Sequence, residues 1–548
     1  MIAWLRSKLG SGRDELRRRA EEAYQQGAAH EARQCCLELL RGSPGDARAL
    51  FLLASVAADT KQIDEGLQWA RRALQASPGE APPHYAMGRV WEAAGRYPQA
   101  EASYRAAVQL DPRNAKAHNN LGAVLHMQGR LDAALICYRK ALEIDPALPQ
   151  ANQNYAAIVR SPEARQAALE GYLRHTAANP QDAEAFHNLA NVYDALGRSD
   201  EAMASFERAI AIEPQRAEAH FARALVLLAR GEYAQGWKEY DWRWKVGAFN
   251  APARRFAQPM WQGEPRDGQT ILLHGETGLG DTLMFVRYAS LVAERCATVV
   301  LECQPQLKSL LAKVKGVGQI VAQGDALLAF DAHSPFIALP RVLGTTLETI
   351  PWSGPYVHAD PALVAEWRSR IASGDPGRVK VGLVWATNPE NPSSVKKSLA
   401  LQTFAPLAAV PRLEVYSLQK GPAAGELASA PPGLEITDLG PHLRDFADTA
   451  AVASLLELII TVDTSVAHLS GAMGLPTWVV LSHSPDWRYH LQRSDNPWYP
   501  TMRLFRQPSD GDWAAVVAEV TNALHRSLHC DGGIISPRSQ SENGPRST

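Results

Sequence analysis

The sequence predicts an α-helical solenoid followed by an α/β half, and three observations carry that prediction. Prolines recur at intervals of 34 residues, at Pro44, Pro78, Pro112, Pro146, Pro180 and Pro214. A stretch rich in Pro, Arg and Gln, about residues 248–268, then interrupts the pattern. Beyond it, short apolar runs of strand length alternate with helical segments, the order expected of parallel, doubly wound sheets. A chain of 548 residues is too long for one core, so several domains are expected.

Two further registers share the 34-residue period. One runs Ala20, Ala54, Gly88, Gly122, Ala156, Ala190, Ala224; the other runs Ala32, Gly66, Ala100, Ala134, Ala168, Ala202, Gly236. Small residues are required where paired antiparallel helices approach closely. Gly27, Gly95, Gly129, Gly197 and Gly231 mark the turn inside each pair, where a helix ends in a left-handed residue. The proline then stops the second helix. Agreement of these registers at one period resembles the tetratricopeptide repeat, over about residues 13–250. The unit at 149–182 is degenerate, with Glu163 at the turn position, Pro162 beside it and His175 where Ala is usual. The seventh unit ends in Trp237, Tyr240 and Trp244 on one helical face. A solenoid must cover its terminal apolar face, so this face is expected to dock on the next domain. Such repeats imply a protein or peptide partner in the concave face and carry no catalytic constellation themselves.

In the second half, strands are predicted at Thr270–His274, Thr298–Glu302, Phe336–Pro340, Lys380–Trp385, Leu413–Leu418, Leu458–Val462 and Thr477–Leu481, with a helix from about Thr282 to Glu294. The length suits two sheet domains, 269–375 and 376–528, meeting near Gly374–Gly377. Ligands of open parallel sheets sit beyond the carboxyl ends of strands, and three segments fall there. The first, Gly275-Glu-Thr-Gly-Leu-Gly-Asp281, has glycines at 275, 278 and 280 that let backbone approach a ligand; Asp281 is either a site residue or a helix cap. The second, Gly382–Asn388, is followed by Lys396 and Lys397, suited to a diphosphate or to ordinary solvent exposure. The third, Leu458–His468, brings Asp463, Thr464 and Ser465 to a helix amino terminus, whose N–H groups favour phosphate oxygens. His468 follows Thr464 by four residues and shares its helical face.

Together these segments resemble the heptosyltransferase-like glycosyltransferases, whose two Rossmann-like domains form the GT-B architecture. The resemblance spans about Trp261 to Trp513 and is most specific at Gly278-Leu-Gly-Asp281 and Asp463-Thr-Ser-Val-Ala-His468. It implies that Asp281 is the general base on the acceptor hydroxyl. Lys397, or Lys396, would contact the donor diphosphate, and Asp463, Thr464, Ser465 and His468 would hold the sugar nucleotide. It further implies a nucleotide-sugar donor as substrate, with no cofactor and no metal. Ser465 stands where the family has glycine, and Ser417-Leu-Gln-Lys-Gly421 stands where a ribose-binding glutamate is expected. Gln419 and Lys420 there are similar to an element of protein O-linked N-acetylglucosamine transferases, which also join repeats to a GT-B module. The reading is therefore a glycosyltransferase acting on an acceptor brought by the repeats. An inactive scaffold and a lipopolysaccharide-type heptosyltransferase are the alternatives.

Composition narrows the remaining classes. Lys plus Arg number 56 against 58 Asp plus Glu, so no global basic field draws nucleic acid. Six cysteines without a CxxC pair argue against a zinc site or a disulfide scaffold and fit reduced thiols in a cytoplasm. The longest apolar stretch, near Ala450–Ile460, contains Glu457 and is about half a membrane span. No transmembrane segment is expected, and the Gly-, Ser-, Pro- and Arg-rich residues 529–548 are expected to be disordered.

Overall fold

The computed structural model describes residues 2–145, 148, 150–151, 154–155, 162–246, 256–275, 278–371, 377–388 and 397–529. The chain divides into two compact units, residues 1–196 and 197–548.

The first unit is built from α1 (Ile2–Gln25), α2 (Ala29–Gly42), α3 (Ala47–Asp59), α4 (Ile63–Ala76), α5 (Ala81–Ala93), α6 (Tyr97–Leu110), α7 (Ala115–Met127), α8 (Leu131–Ile144), α9 (Pro162–Ala178) and α10 (Ala183–Ala195). α1 to α8 pack as successive antiparallel pairs, and each pair stacks on the next. The small-residue registers lie at these helix contacts: Ala20, Ala32, Ala54, Ala100, Ala134, Ala168 and Ala190 are fully buried. A Cβ added at Gly88 would fall 2.7 Å from the Tyr104 ring, so the aromatic of one helix uses the gap left by glycine on its partner. Ala156 and the first helix of the degenerate unit fall largely outside the described residues. The helices end just before the periodic prolines, at Gly42, Ala76, Leu110, Ile144 and Ala178.

The second unit opens with α11 (Ser199–Ile212) and the pair α12 (Ala217–Arg230) and α13 (Tyr233–Tyr240), then continues into two parallel sheets. The first sheet holds β1 (Arg266–His274), β2 (Cys296–Cys303), β3 (Gln319–Ala322) and β4 (Ala332–Pro335) in the order β3-β2-β1-β4. The second holds β5 (Val379–Val384), β6 (Leu413–Ser417), β7 (Ile436–Asp438), β8 (Leu458–Val462), β9 (Thr477–Leu481) and β10 (Met502–Arg506) in the order β10-β9-β8-β5-β6-β7. Helices α14 (Leu279–Phe285), α15 (Ala289–Ala293), α16 (Lys308–Leu311), α17 (Leu339–Val342), α18 (Pro361–Ile371), α19 (Phe446–Ala453), α20 (Ser465–Ala472) and α21 (Trp513–His529) complete the unit.

Several expectations need correction. The strand predicted at Phe336–Pro340 lies at Ala332–Pro335; the apolar run after it turns into a 3-10 segment and α17. The helix predicted over Thr282–Glu294 begins earlier, at Leu279, and is broken by a 3-10 turn at Val286–Tyr288. β3, β7 and β10 were not foreseen. α18, placed by sequence in the first sheet domain, packs on the second sheet: Trp367 and Ile371 share a core with Val384, Tyr416 and Leu418, and the Tyr416 hydroxyl donates to the Ile371 carbonyl at 3.2 Å. The boundary therefore precedes residue 361.

The aromatic face of the last repeat does dock, with one exception. Trp237 and Tyr240 are buried; the Trp237 ring stands perpendicular to Trp487, centroids 5.2 Å apart, and packs edge-on against Phe285 and Trp498. Trp244 does not join them. A 3-10 turn over Asp241–Lys245 rotates it off the face, and its ring, 40% exposed, lies under the Arg243 guanidinium. A polar latch reinforces this core. Trp498 Nε1 donates to the Tyr233 hydroxyl at 2.8 Å, Tyr233 lies 3.2 Å from His490 Nε2, and His490 Nδ1 lies 3.2 Å from the Ala229 carbonyl.

At the turn position of the second repeat, where Gly27, Gly95 and Gly129 take positive φ, stands Lys61 with φ 56°. A side chain in this conformation is strained. Lys61→Gly is expected to stabilise the repeats by about 0.5–1 kcal/mol, the strain relief less the added chain entropy of glycine. Urea unfolding of the full chain measures it; a lower midpoint for the repeat transition would contradict the assignment.

Candidate active site

The first of the three predicted loops leaves β1 at His274. Gly275 is hemmed in: an added Cβ would lie 3.2 Å from Gln323 Nε2 and 3.3 Å from Thr282 Oγ1. Gly278 caps α14 from an extended backbone and has open space around it. Gly280 is where two loops meet, because a Cβ there would lie 2.7 Å from Cδ2 of His468. Asp281 lies in the first turn of α14 rather than at its cap position, which Gly278 holds. No side chain caps α14; the Asp281 carboxylate is instead ion-paired with Arg488.

The third loop leaves β8 at Val462. Thr464 caps α20, its hydroxyl accepting from the Val466 N–H at 3.3 Å and lying 3.0 Å from the Thr461 hydroxyl. Ser465 opens the helix, half-buried. Asp463 faces away from the cap: it is ion-paired with Lys397 and accepts from the Tyr489 hydroxyl at 2.9 Å. His468 is buried beneath Gly280, with Nδ1 3.0 Å from the Tyr499 hydroxyl.

The loop after β9 completes the site. After β9 the chain runs Asp486-Trp-Arg-Tyr489. Asp486 accepts from the Arg488 backbone N–H at 3.1 Å and from its Nη1 at 2.7 Å, while Nη2 reaches Asp281. The Arg488 guanidinium carbon sits 4.4 Å from the Trp487 ring centre, a cation–π contact that fixes its plane. Asp281, Arg488 and Asp486 thus form one chain of charges, and Lys397, Asp463 and Tyr489 form another. The two are electrostatically linked. Burial works against the Lys397 ammonium, but Asp463 and Asp486 outweigh it and hold its pKa above the lysine value. Burial likewise opposes charge on Arg488, and Asp281 and Asp486 outweigh it. Burial pushes His468 down to about 4, so it is neutral at pH 7. The signal in the sequence was the position of Asp486-Trp-Arg-Tyr489 past the carboxyl end of β9, the same placement that drew attention to the other loops.

Two proposed donor contacts lie elsewhere. Gln419 is buried and its amide is fully committed: Oε1 accepts from the Trp385 and Ala386 N–H groups at 3.1 and 2.9 Å. Its Nε2 donates to the Ala386 and Lys420 carbonyls at 3.0 and 2.8 Å. It ties the ends of β5 and β6 together rather than offering groups to a ligand. The exposed Lys420 donates to the Leu443 carbonyl. Lys396 lies outside the described residues. Asp510-Gly-Asp512, an Asp-x-Asp sequence, precedes α21, where Asp512 accepts from the Ala515 N–H at 3.0 Å as a cap. A separate groove of about 570 Å³, lined by Val357, Val364, Met473 and Leu475 with His358 and Arg368, contains no carboxylate and shares no residue with the charged cluster.

His468 and His490 are both buried and both pushed from 6.5 down to about 4. The unfolded chain protonates them first as pH falls, so their contribution is complete above 6.5 and is lost toward 4. Each is worth on the order of 3 kcal/mol over that window. Unfolding midpoints of the second unit should therefore rise between pH 4 and 6.5. His490→Asn, which tolerates the positive φ of this position, should remove about half of the slope. A midpoint flat across this range would refute the neutral assignment.

Profiles of the tetratricopeptide repeat match residues 17–81 and 85–149, and again 183–216. Among curated proteins, Protein FlbA of Caulobacter vibrioides is 26% identical over 326 residues, 56% of this chain and 54% of that protein. The chain therefore spans about half the length of this relative. Among solved structures, a thermophilic TPR protein of Thermus thermophilus is 20% identical, covering 39% of this chain and 99% of its own, with a TM-score of 0.24. YrrB, described as a TPR protein with an unusual peptide-binding site, is 21% identical over 35% of this chain and 98% of its own, with a TM-score of 0.23. PilF of Pseudomonas aeruginosa is 20% identical over 39% and 99%, with a TM-score of 0.26. Among the described residues no helix is long and apolar enough to cross a membrane. The amino-terminal part of this chain is a tetratricopeptide-repeat array, and its carboxyl-terminal part carries parallel sheets of the α/β class.

Proposed function

We propose that the second unit is a glycosyltransferase of the GT-B kind, moving a sugar from a nucleotide-sugar donor to an acceptor hydroxyl, and that the repeats recruit a protein bearing that hydroxyl. One observation carries the reading. The turn after β1 and the turn after β8, from different sheets, meet at Gly280 and His468, with Asp281, Arg488, Asp486, Lys397 and Asp463 gathered beside them. Strand carboxyl ends of two sheets facing one another are where a doubly wound pair accommodates a ligand.

The chemistry follows from the groups. Lys397 and the first N–H groups of α20 attract a diphosphate, and Thr464, which caps that helix, keeps them oriented. Asp281 takes the proton of the acceptor hydroxyl as it attacks the anomeric carbon. The bond to the diphosphate breaks, and the charge left on the departing oxygen is stabilised by the lysine and the backbone N–H groups. Neutral His468 contributes no charge; its ring fills the space under Gly280 and fixes the distance between the two loops. The scaffold reading draws on the same cluster, since every described charge in it already has a partner of opposite sign.

Incubating the full chain with radiolabelled nucleotide sugars and a protein extract tests the two readings. Transfer to protein is expected, and Asp281→Asn should lower it about 10²–10⁴-fold while leaving the unfolding midpoint near that of the unaltered chain. Undiminished transfer by that variant would remove Asp281 from the role of base.

A further inference from the structure

Resting on the transferase reading, we infer that Arg488 is a second ligand for the donor diphosphate and that, until the donor arrives, it is ion-paired with Asp281, so that the donor competes with that carboxylate for it.

The two ends of the Arg488 guanidinium are anchored differently. On one side, Asp486 binds both the backbone N–H and Nη1 from within the same loop. On the other, Nη2 crosses to Asp281 on the turn after β1, 207 positions away in sequence. The first contact is local and travels with the arginine. The second bridges two loops and can be exchanged without disturbing the first. Trp487 supports the guanidinium face and is itself braced by Trp237, so an exchange of partner at Nη2 needs no movement of the guanidinium plane.

Electrostatics gives the exchange a direction. A diphosphate carries more negative charge than a single carboxylate and is the stronger partner for a guanidinium. A diphosphate brings oxygens whose geometry matches a guanidinium fork, and Arg488 lies at the same strand-end edge as Lys397 and the start of α20. A phosphate oxygen that takes over Nη2 displaces the Asp281 carboxylate from it. The same exchange sets a binding penalty, because the ligand must compete with Asp281 for Arg488.

That competition is measurable without knowing the acceptor. UDP, GDP, ADP and CDP are titrated by calorimetry into the full chain, and the one that binds is titrated into Asp281→Asn, Arg488→Gln and the double variant. Asp281→Asn should bind about fivefold or more tightly, since the competitor is gone. Arg488→Gln should bind more weakly, and in its background Asp281→Asn should bring no gain. Equal or weaker binding by Asp281→Asn overturns the inference. So does a gain of the same size with Arg488 absent, which would reflect general removal of negative charge. Failure of all four nucleotides to bind the unaltered chain overturns the nucleotide-sugar reading itself, and this inference with it.

Discussion

Residue 280 has no side chain, and the arrangement of the second unit depends on that. With a Cβ only 2.7 Å from the His468 ring, even alanine would force α14 and α20 apart. These two helices begin at the carboxyl ends of β1 and β8, central strands of separate sheets. Their contact brings the loop edges of the two sheets together. Asp281 follows Gly280 directly, so the same approach carries its carboxylate to Arg488. His468 in turn is positioned from behind by Tyr499, which lies in the core shared with Trp498, Trp487 and Phe285. Loss of the close approach would leave Arg488 with Asp486 and Lys397 with Asp463, and would detach Asp281 from the cluster.

Such a cluster is poorly explained as a source of stability. Buried or half-buried ion pairs lose in desolvation much of what they gain in attraction, and apolar replacements are often as stable. The unit does not lack apolar cohesion: β5, β8, β9 and α21 enclose a core of Val, Leu, Ile and Phe side chains, and another joins α13 to the first sheet. Five ionised groups at strand ends are thus tolerated by the fold rather than required by it. Groups held this way, with the pKa values of Lys397, Asp486 and Arg488 displaced by burial and by neighbouring charges, are characteristic of sites that bind charge or move protons.

The described repeats were legible because each requirement was local and recurred: a small residue where helices touch, a left-handed residue at the turn, a proline at the end. Lys61 breaks the turn rule, and the backbone nevertheless takes the same positive φ, which shows the helix packing overriding the residue preference. β8 and β9 coincide with their predicted limits because both are continuous apolar runs buried on both faces, the pattern of a central parallel strand. β4 was misplaced because it contains His333 and Ser334, while the more apolar run after it forms helix. The site residues on glycine and helix-start motifs could be found, since those motifs announce a strand-to-helix turn. The loop of Arg488 could be placed past β9 by the same rule, but its partner could not be read, because Asp281 follows a strand of another sheet. Gln419 was misleading for the opposite reason: an amide beside a strand end reads the same whether it serves a ligand or, as here, the backbone of its neighbour.

The period of 34 residues continues to about residue 250, yet the packing divides after Leu196. Periodicity reports how a segment is built, whereas packing reports what it is attached to, and here they diverge. α12 and α13 are repeat helices by their small residues, Ala224 and Gly236, and are part of the α/β unit by their contacts. A terminal repeat must cover its apolar face with something. This one covers it with the loop between β9 and β10, through Trp237 on Trp487 and Tyr233 on Trp498 and His490. Since Arg488 lies between Trp487 and Tyr489 in that loop, the segment that closes the solenoid also sets the geometry of the charged cluster. A cut at residue 250 would therefore separate the site from its support, and the smallest piece able to hold that site must begin before α12.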